Sequence, residues 1–385
     1  MRQRAQRKAM RRRVAAVALA SLALALTACA TGEAGGTGLM RAGCPAEIRI
    51  QTDDLPRVEW GFLYGLLDRD QLRTGYDSVT APLLVDGEPS GSNLRIFVAD
   101  PDDGVAANIQ LHDDDRFLLG AVDTDVALLD AGRFPTVGVF APLRRSPRLA
   151  YWDASVYPEV PTVQQLGDRL VPDGSGLVPF VTTPGDPFAS YGVGAGVVTA
   201  EQLVTEPPPS VQGLIDAGGI PVHLGDVFTD PYRFEVLTET PEAFGSHLLD
   251  DSGYQSDSGV LSATPQTLVR YADCLTMLVP ILQQALVDYL DDPDETNALL
   301  VTLSAKFGDD RYDADAVARA FQILEGDHFA GNGRDGTIGD IDLGRLRDLF
   351  ETAGRAWREA GTPVPQGVEP DSIVTNRFID PSIGR

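Results

Sequence analysis

From residue 47 onward, short apolar runs of strand length alternate with stretches at helical spacing, and polar turns separate them. EIRIQ at 47–51 alternates as a strand does, whereas Trp60, Phe62, Leu63, Tyr64, Leu66 and Leu67 predict a helix over 60–67. Runs at 94–99, 117–121 and 136–141 suit strands, and 126–131 suits a short helix. This alternation predicts an α/β sheet with mainly parallel strands. A second set follows, with helices over 162–170 and 211–217 and strands over 177–182 and 222–228. The last third is helical by spacing over 265–290, 295–307, 314–324 and 343–360, with Asp, Thr or Pro near the starts. A chain of 385 residues exceeds one small core. The expected organisation is a first lobe over 44–142 and 240–385, with a second α/β lobe over 143–239 inserted into it.

The first 28 residues have a different character. A basic head from Arg2 to Arg13 precedes an apolar run over 14–26, too short for a membrane span, which needs ~20 residues. This pattern predicts an export signal over 1–28. Leu26-Thr27-Ala28-Cys29 resembles a bacterial lipobox, which implies cleavage before Cys29 and lipidation of its thiol. The Gly-rich stretch 29–43 predicts a flexible tether from the lipid to the folded region. An exported protein lives where disulfides persist, so the remaining cysteines, Cys44 and Cys274, are expected to pair.

The signal carries seven of 31 basic residues and none of 56 acids, so its loss takes the net charge from −25 to −32. Such a surface repels nucleic acid and anionic headgroups, which excludes nucleic acid as an expected partner. Catalytic signatures are thin: HExxH, GxSxG and a phosphate-binding GxxxxGK are all absent from the sequence. His112, His223, His247 and His328 are scattered without metal-ligand spacing. NGRDGTIGDID at 332–342 is similar to a calcium loop but has glycines at the first two ligand positions, so no metal and no cofactor is expected. Gly192-Val-Gly194-Ala-Gly196 fails dinucleotide-loop spacing and predicts a close-packed helix N-terminus instead.

Polar turns after strands are the candidate binding elements, because ligands of open α/β sheets bind beyond the carboxyl ends of strands. Asp53 and Asp54 follow EIRIQ, and Glu59 and Trp60 open the next helix, joining carboxylates to an aromatic face suited to a flat or cationic ligand. Asp54 as a helix cap is the competing reading. GAVDTD at 120–125 is a second such turn, in which Thr124 or Asp125 caps a helix, binds a ligand, or both. In the second lobe, Thr183 with Tyr191, and Asp230 within DVFTDPY, also follow strands.

Taken together, QTDDLPRVEWGFLYGLL, GAVDTDVALLDAGRFPTVGVFAPLRRSP, GDVFTDPYRFE and IGDIDLGRLRDLFETAG with PDSIVTNRFID resemble the substrate-binding lipoproteins of ABC importers. The group in question binds nitrate, sulfonates, taurine and thiamine-precursor pyrimidines. The resemblance implies the α/β, two-lobed type 2 periplasmic-binding-protein fold with a hinge, a monomer, and a permease partner. It implies no catalysis. By the match, Asp53, Asp54, Glu59, Trp60, Tyr64, Thr124 and Asp125 line the first lobe, and Thr183, Tyr191 and Asp230 the second. Acids with aromatics and no arginine at these turns imply a neutral or cationic heterocycle, such as a thiamine-precursor pyrimidine. The alternatives are a nitrate, sulfonate or taurine binder, a pyrimidine-synthesis-type enzyme on the same fold, and a structural lipoprotein.

Overall fold

The computed structural model describes residues 38–98 and 105–385. The export signal over 1–28 and the lipidation site Cys29 lie outside the described residues. The expected tether over 29–43 falls partly inside them. Residues 38–43 form a hydrogen-bonded turn, because Leu39 is fully buried in the first core and ties the chain down six residues early.

Two mixed sheets organise the described chain. The first runs β2–β3–β4–β1–β5–β12–β6 and the second β11–β7–β10–β8–β9. In the first, β1 is Glu47–Gln51, β2 Arg73–Thr74, β3 Ser78–Val85, β4 Glu88–Phe97, β5 Leu119–Val122, β6 Val137–Phe140 and β12 Val260–Ala263. In the second, β7 is Arg148–Asp153, β8 Phe180–Val181, β9 Leu203–Val204, β10 Val222–Asp226 and β11 Phe244–Leu248. Four strand pairings are parallel and six antiparallel, so the expectation of mainly parallel sheets is corrected. One cause is the β3–β4 hairpin, whose two-residue turn Asp86-Gly87 has positive φ at both positions (53° and 77°), the twist-matched turn for antiparallel neighbours. The others are β2, which runs antiparallel to β3, β11, which runs antiparallel to β7, and β7 and β12, which each follow a crossing between the sheets.

The boundaries of the second lobe also differ from expectation. Its sheet keeps Phe244–Leu248, so the return crossing lies beyond Leu248 rather than at 239–240. The outward crossing is 141–147 and the return crossing 249–259, and the two meet where Ser146 Oγ and Ser258 Oγ lie 2.8 Å apart. Arg345 braces the return crossing through Asp250 (2.5 Å) and Asp257 (3.3 Å). Arg345 belongs to helix Leu343–Glu359. Its apolar stripe, Leu346, Leu349, Ala353 and Trp357, joins a core that holds Val122 and Val260 of the first sheet as well as Trp152 and Val222 of the second, and Trp357 Nε1 donates to the Pro187 carbonyl (2.8 Å). Helix Pro187–Gly194 meets it so closely that a Cβ at Gly194 would stand 1.8 Å from the Ala356 carbonyl oxygen. Of the glycines of 192–196, Gly194 thus packs closely as expected, but at a helix C-terminus, whereas Gly196 faces open space.

The long helical run expected over 265–290 divides into Pro265–Arg270 and Ala272–Asp291. The second of these carries Cys274, bonded to Cys44 across a separation of 230 residues, as expected. Among the described residues no helix is long and apolar enough to cross a membrane.

Candidate functional site

The turn after β1 is built to aim its acids. Thr52 Oγ1 donates to the carbonyls of Asp54 (2.9 Å) and Phe97 (3.0 Å), which fixes the backbone reversal beyond the strand. Asp54 Oδ1 accepts from the amide of Leu55 (2.6 Å), and the 3₁₀ turn Val58–Trp60 has Arg57 before it with no side-chain cap, so Asp54 does not cap the helix. Asp53 is instead set by Trp60, whose indole Nε1 donates to its Oδ1 at 2.8 Å.

These residues line one cavity of about 170 Å³ between the two sheets. The first lobe contributes Asp53, Asp54, Glu59, Trp60 and Asp123, the crossings contribute Leu143, Ser258 and Gly259 among others, and the second lobe contributes Arg148 and Asp226. Gly259 permits the enclosure: its φ is +64°, and an added Cβ would press on Trp60 Cζ2 at 3.0 Å. Its amide donates to Asp123 Oδ1 (2.8 Å), joining the return crossing to a cavity acid.

Five carboxylates therefore face one small space with a single arginine. Burial works against that arginine's charge, but Asp186 and then Asp125 outweigh it and hold Arg148 protonated. Its guanidinium bonds Asp186 directly and lies 3.7 Å from Asp125, so its charge is already matched. The acids are not matched in this way. Burial, then Asp125 and Asp53, pushes Asp123 up to about 8, from an ordinary 3.8. The enclosing walls and then Asp54 push Asp53 up to about 6, although its side chain reaches the solvent-filled space. Burial, with Asp226 and Asp54, drives Glu59 well above its ordinary value, and one oxygen, Oε2, is buried without a hydrogen-bond partner. Burial does the same to Asp226, whose Oδ1 accepts from the amide of Phe228 (2.7 Å).

Such a site favours a cation, which would discharge this repulsion, or a neutral heterocycle accepting a proton from a protonated acid. The volume corresponds to about six waters at ~30 Å³ each, so the guest is small. Among the described residues no group of acids, histidines or cysteines is arranged to hold a metal ion.

A pH dependence follows. An acid whose folded value is raised stabilises the fold by holding its proton, and that stabilisation is lost as pH rises through the folded value. The empty protein should therefore lose stability between pH 7 and 9, as Asp123 titrates near 8. His223, pushed down to about 4 by burial, acts in the opposite direction only below its ordinary 6.5, leaving this window to the cavity acids. Melting temperatures that rose from pH 7 to 9 would contradict the placement of these acids.

Not every expected residue reaches the cavity. Asp53, Asp54, Glu59 and Trp60 do. Tyr64 is fully buried in the first core. Trp60 and Tyr64 share a face at i,i+4 only in a continuous α-helix, and here the helix proper starts at Gly61, after the 3₁₀ turn. Thr124 ties its helix to the return crossing, its Oγ1 accepting from the amide of Asp257 (2.9 Å). Asp125 is wholly buried and accepts from Tyr254 Oη (2.7 Å), so it stands behind Arg148. Thr183 is exposed, and Tyr191 packs on Tyr254 with ring centroids 4.9 Å apart. Asp230 is buried and accepts from the amide of Asp226 (2.8 Å), supporting the acid that does line the space. Asp123 and Asp226 were missed although both lie in the turns singled out, and Arg148 was missed because β7 carried no recognised strand signal. No arginine was expected at these turns, and the one in the cavity lining, Arg148, comes from β7 outside them.

The sequence matches no known family model and no curated protein. Solved structures do match. The periplasmic aliphatic sulphonate binding protein SsuA from Escherichia coli aligns with a TM-score of 0.54 at 13% identity, over 86% of this chain and 92% of that one. A protein from Bordetella bronchiseptica RB50 aligns at 0.53 and 14% identity, over 87% and 96%. The alkanesulfonate-binding protein SsuA from Xanthomonas axonopodis pv. citri, bound to MOPS, aligns at 0.50 and 12%, over 86% and 98%. At such identities the likeness is one of fold, and it agrees with two sheets joined by two crossings around a cavity. The chain has the two-lobed α/β fold of periplasmic binding proteins.

Proposed function

We propose that this protein is an extracytoplasmic solute-binding lipoprotein, anchored through Cys29, that captures a small cationic or neutral flat heterocycle and presents it to an ABC importer permease. A thiamine-precursor pyrimidine is the candidate solute. The observation that carries the reading is the convergence of Asp53, Asp54, Glu59, Asp123 and Asp226 with Trp60 in one cavity between the lobes. Capture of a cationic or flat guest fits a site that pairs acids with an aromatic face. Closure around the guest would let both lobes contact it together, the state a permease can recognise.

A sulfonate reading has one observation in its favour, Arg148 in the cavity lining. That arginine is already bonded to Asp186, and an anion would enter among five acids. A thermal-shift screen of aminopyrimidines, amidines, alkylamines, sulfonates and nitrate separates the two readings. Aminopyrimidines or amidines should raise the melting temperature, because a guest at a hundredfold excess over its dissociation constant stabilises by ~2.7 kcal/mol. A rise with sulfonates alone would refute the proposal, and recovery of a chemically altered solute would point to an enzyme.

A further inference from the structure

Outside the cavity, a second set of polar contacts joins the lobes. Helix Asp230–Leu237 belongs to the second lobe, since it follows β10 and its Phe234 packs on Phe244 of β11 with centroids 5.3 Å apart. Facing it is the first-lobe segment that leaves helix Asp294–Lys306 and enters helix Ala314–Gly326. At the centre, Asp309 Oδ2 accepts from Arg233 Nη2 of the second lobe (2.8 Å) and Arg57 Nη2 of the first (2.7 Å). On either side, Tyr232 Oη donates to Asp313 Oδ1 (3.3 Å) and Arg319 Nη2 donates to Glu235 Oε1 (2.9 Å). None of these residues lines the solute cavity.

We propose that Asp309, with the two flanking pairs, is a clasp across the lobes that sets how readily they part, through contacts separate from the solute cavity. Three features support it. The central carboxylate is shared between lobes and only 12% exposed at its side chain, in the range where losing a partner leaves a charge poorly solvated. Burial opposes its charge, but Arg57 and Arg233 outweigh burial and keep Asp309 ionised below the usual carboxylate range. The contacts are also reachable by water: Arg233 and Asp309 border an open groove of about 450 Å³, and the Arg319–Glu235 pair is half exposed. A clasp of that kind can release, because exposed pairs each contribute little and are screened by salt. Arg57, stacked 4.3 Å over Tyr312, also lies 3.5 Å from Asp54, which lines the cavity, so a charge arriving there would be felt at the clasp.

The clasp is independent of the solute's identity and is tested without one. The full chain and its Arg233→Gln/Glu235→Gln variant are compared by small-angle scattering and by acrylamide quenching. Quenching reports opening through Trp60, the tryptophan that lines the cavity, since Trp152 and Trp357 are buried in the second core. The variant should show a larger radius of gyration and roughly twofold greater quenching, with an unchanged far-ultraviolet spectrum, as the population shifts to the open form. Equal radius and equal quenching would overturn the clasp. If the variant does not fold, the unmodified chain is taken from about 50 mM to about 1 M sodium chloride, where screening should expand it. A radius constant across that range would overturn the proposal as well.

Discussion

Asp123→Asn should weaken binding of a cationic guest by about tenfold to a hundredfold, the range expected when a charge-assisted hydrogen bond worth ~1.5–3 kcal/mol is lost. The substitution keeps the carbonyl oxygen that accepts from the Gly259 amide, so the return crossing stays attached. It removes the charge that Asp125 and Asp53 oppose. The empty protein should accordingly gain stability above pH 8 while losing affinity, the opposition expected where like charges are gathered for a ligand. Titration calorimetry and thermal melts on one sample measure both signs. A variant that bound the cation as tightly as the parent would remove Asp123 from the site, and one that was less stable when empty would show that the acid serves the fold.

Replacing both Cys44 and Cys274 by alanine should cost about 2–5 kcal/mol of unfolding free energy. The bond closes a separation of 230 residues and ties the start of β1's segment to the long helix Ala272–Asp291. The crosslink acts mainly on the unfolded chain, by denying it a large set of open conformations, so the effect does not depend on many native contacts. Both cysteines are buried in the first core, so alanine also leaves unfilled space that adds to the loss. Denaturant unfolding at fixed pH measures the difference. A change within about 0.5 kcal/mol, typical of an inert surface substitution, would show that the crosslink does not hold the fold.

Local patterns carried β1 and the helix after β5, because alternation and polar turns bound them on both sides. The β3–β4 hairpin carries a local signal too, since Asp86-Gly87 is a strong short-range hairpin turn. Strands β7, β11 and β12 were not legible from local pattern. They are short, and β12 is buried at every position, so they show no alternation; only pairing with strands distant in sequence gives them their places. The site divides along the same line. Acids after strands were visible as a class, but which of Asp226 and Asp230 faces the cavity is set by how the turn between them folds, the Asp230 side chain accepting from the Asp226 amide four residues back. Arg148 became visible only when β7 took its place beside β10.

The central claim is that the gathered acids select a positively charged or proton-accepting guest over an anion. Calorimetry of the full chain with benzamidinium and 4-aminopyrimidine against propanesulfonate, at pH 7 and pH 9, tests it most directly. The account predicts heat of binding for at least one of the first two, with tighter amidinium binding at pH 9 as Asp123 loses its proton near 8, and none for the sulfonate. Sulfonate binding in the absence of any cation or pyrimidine binding would contradict it.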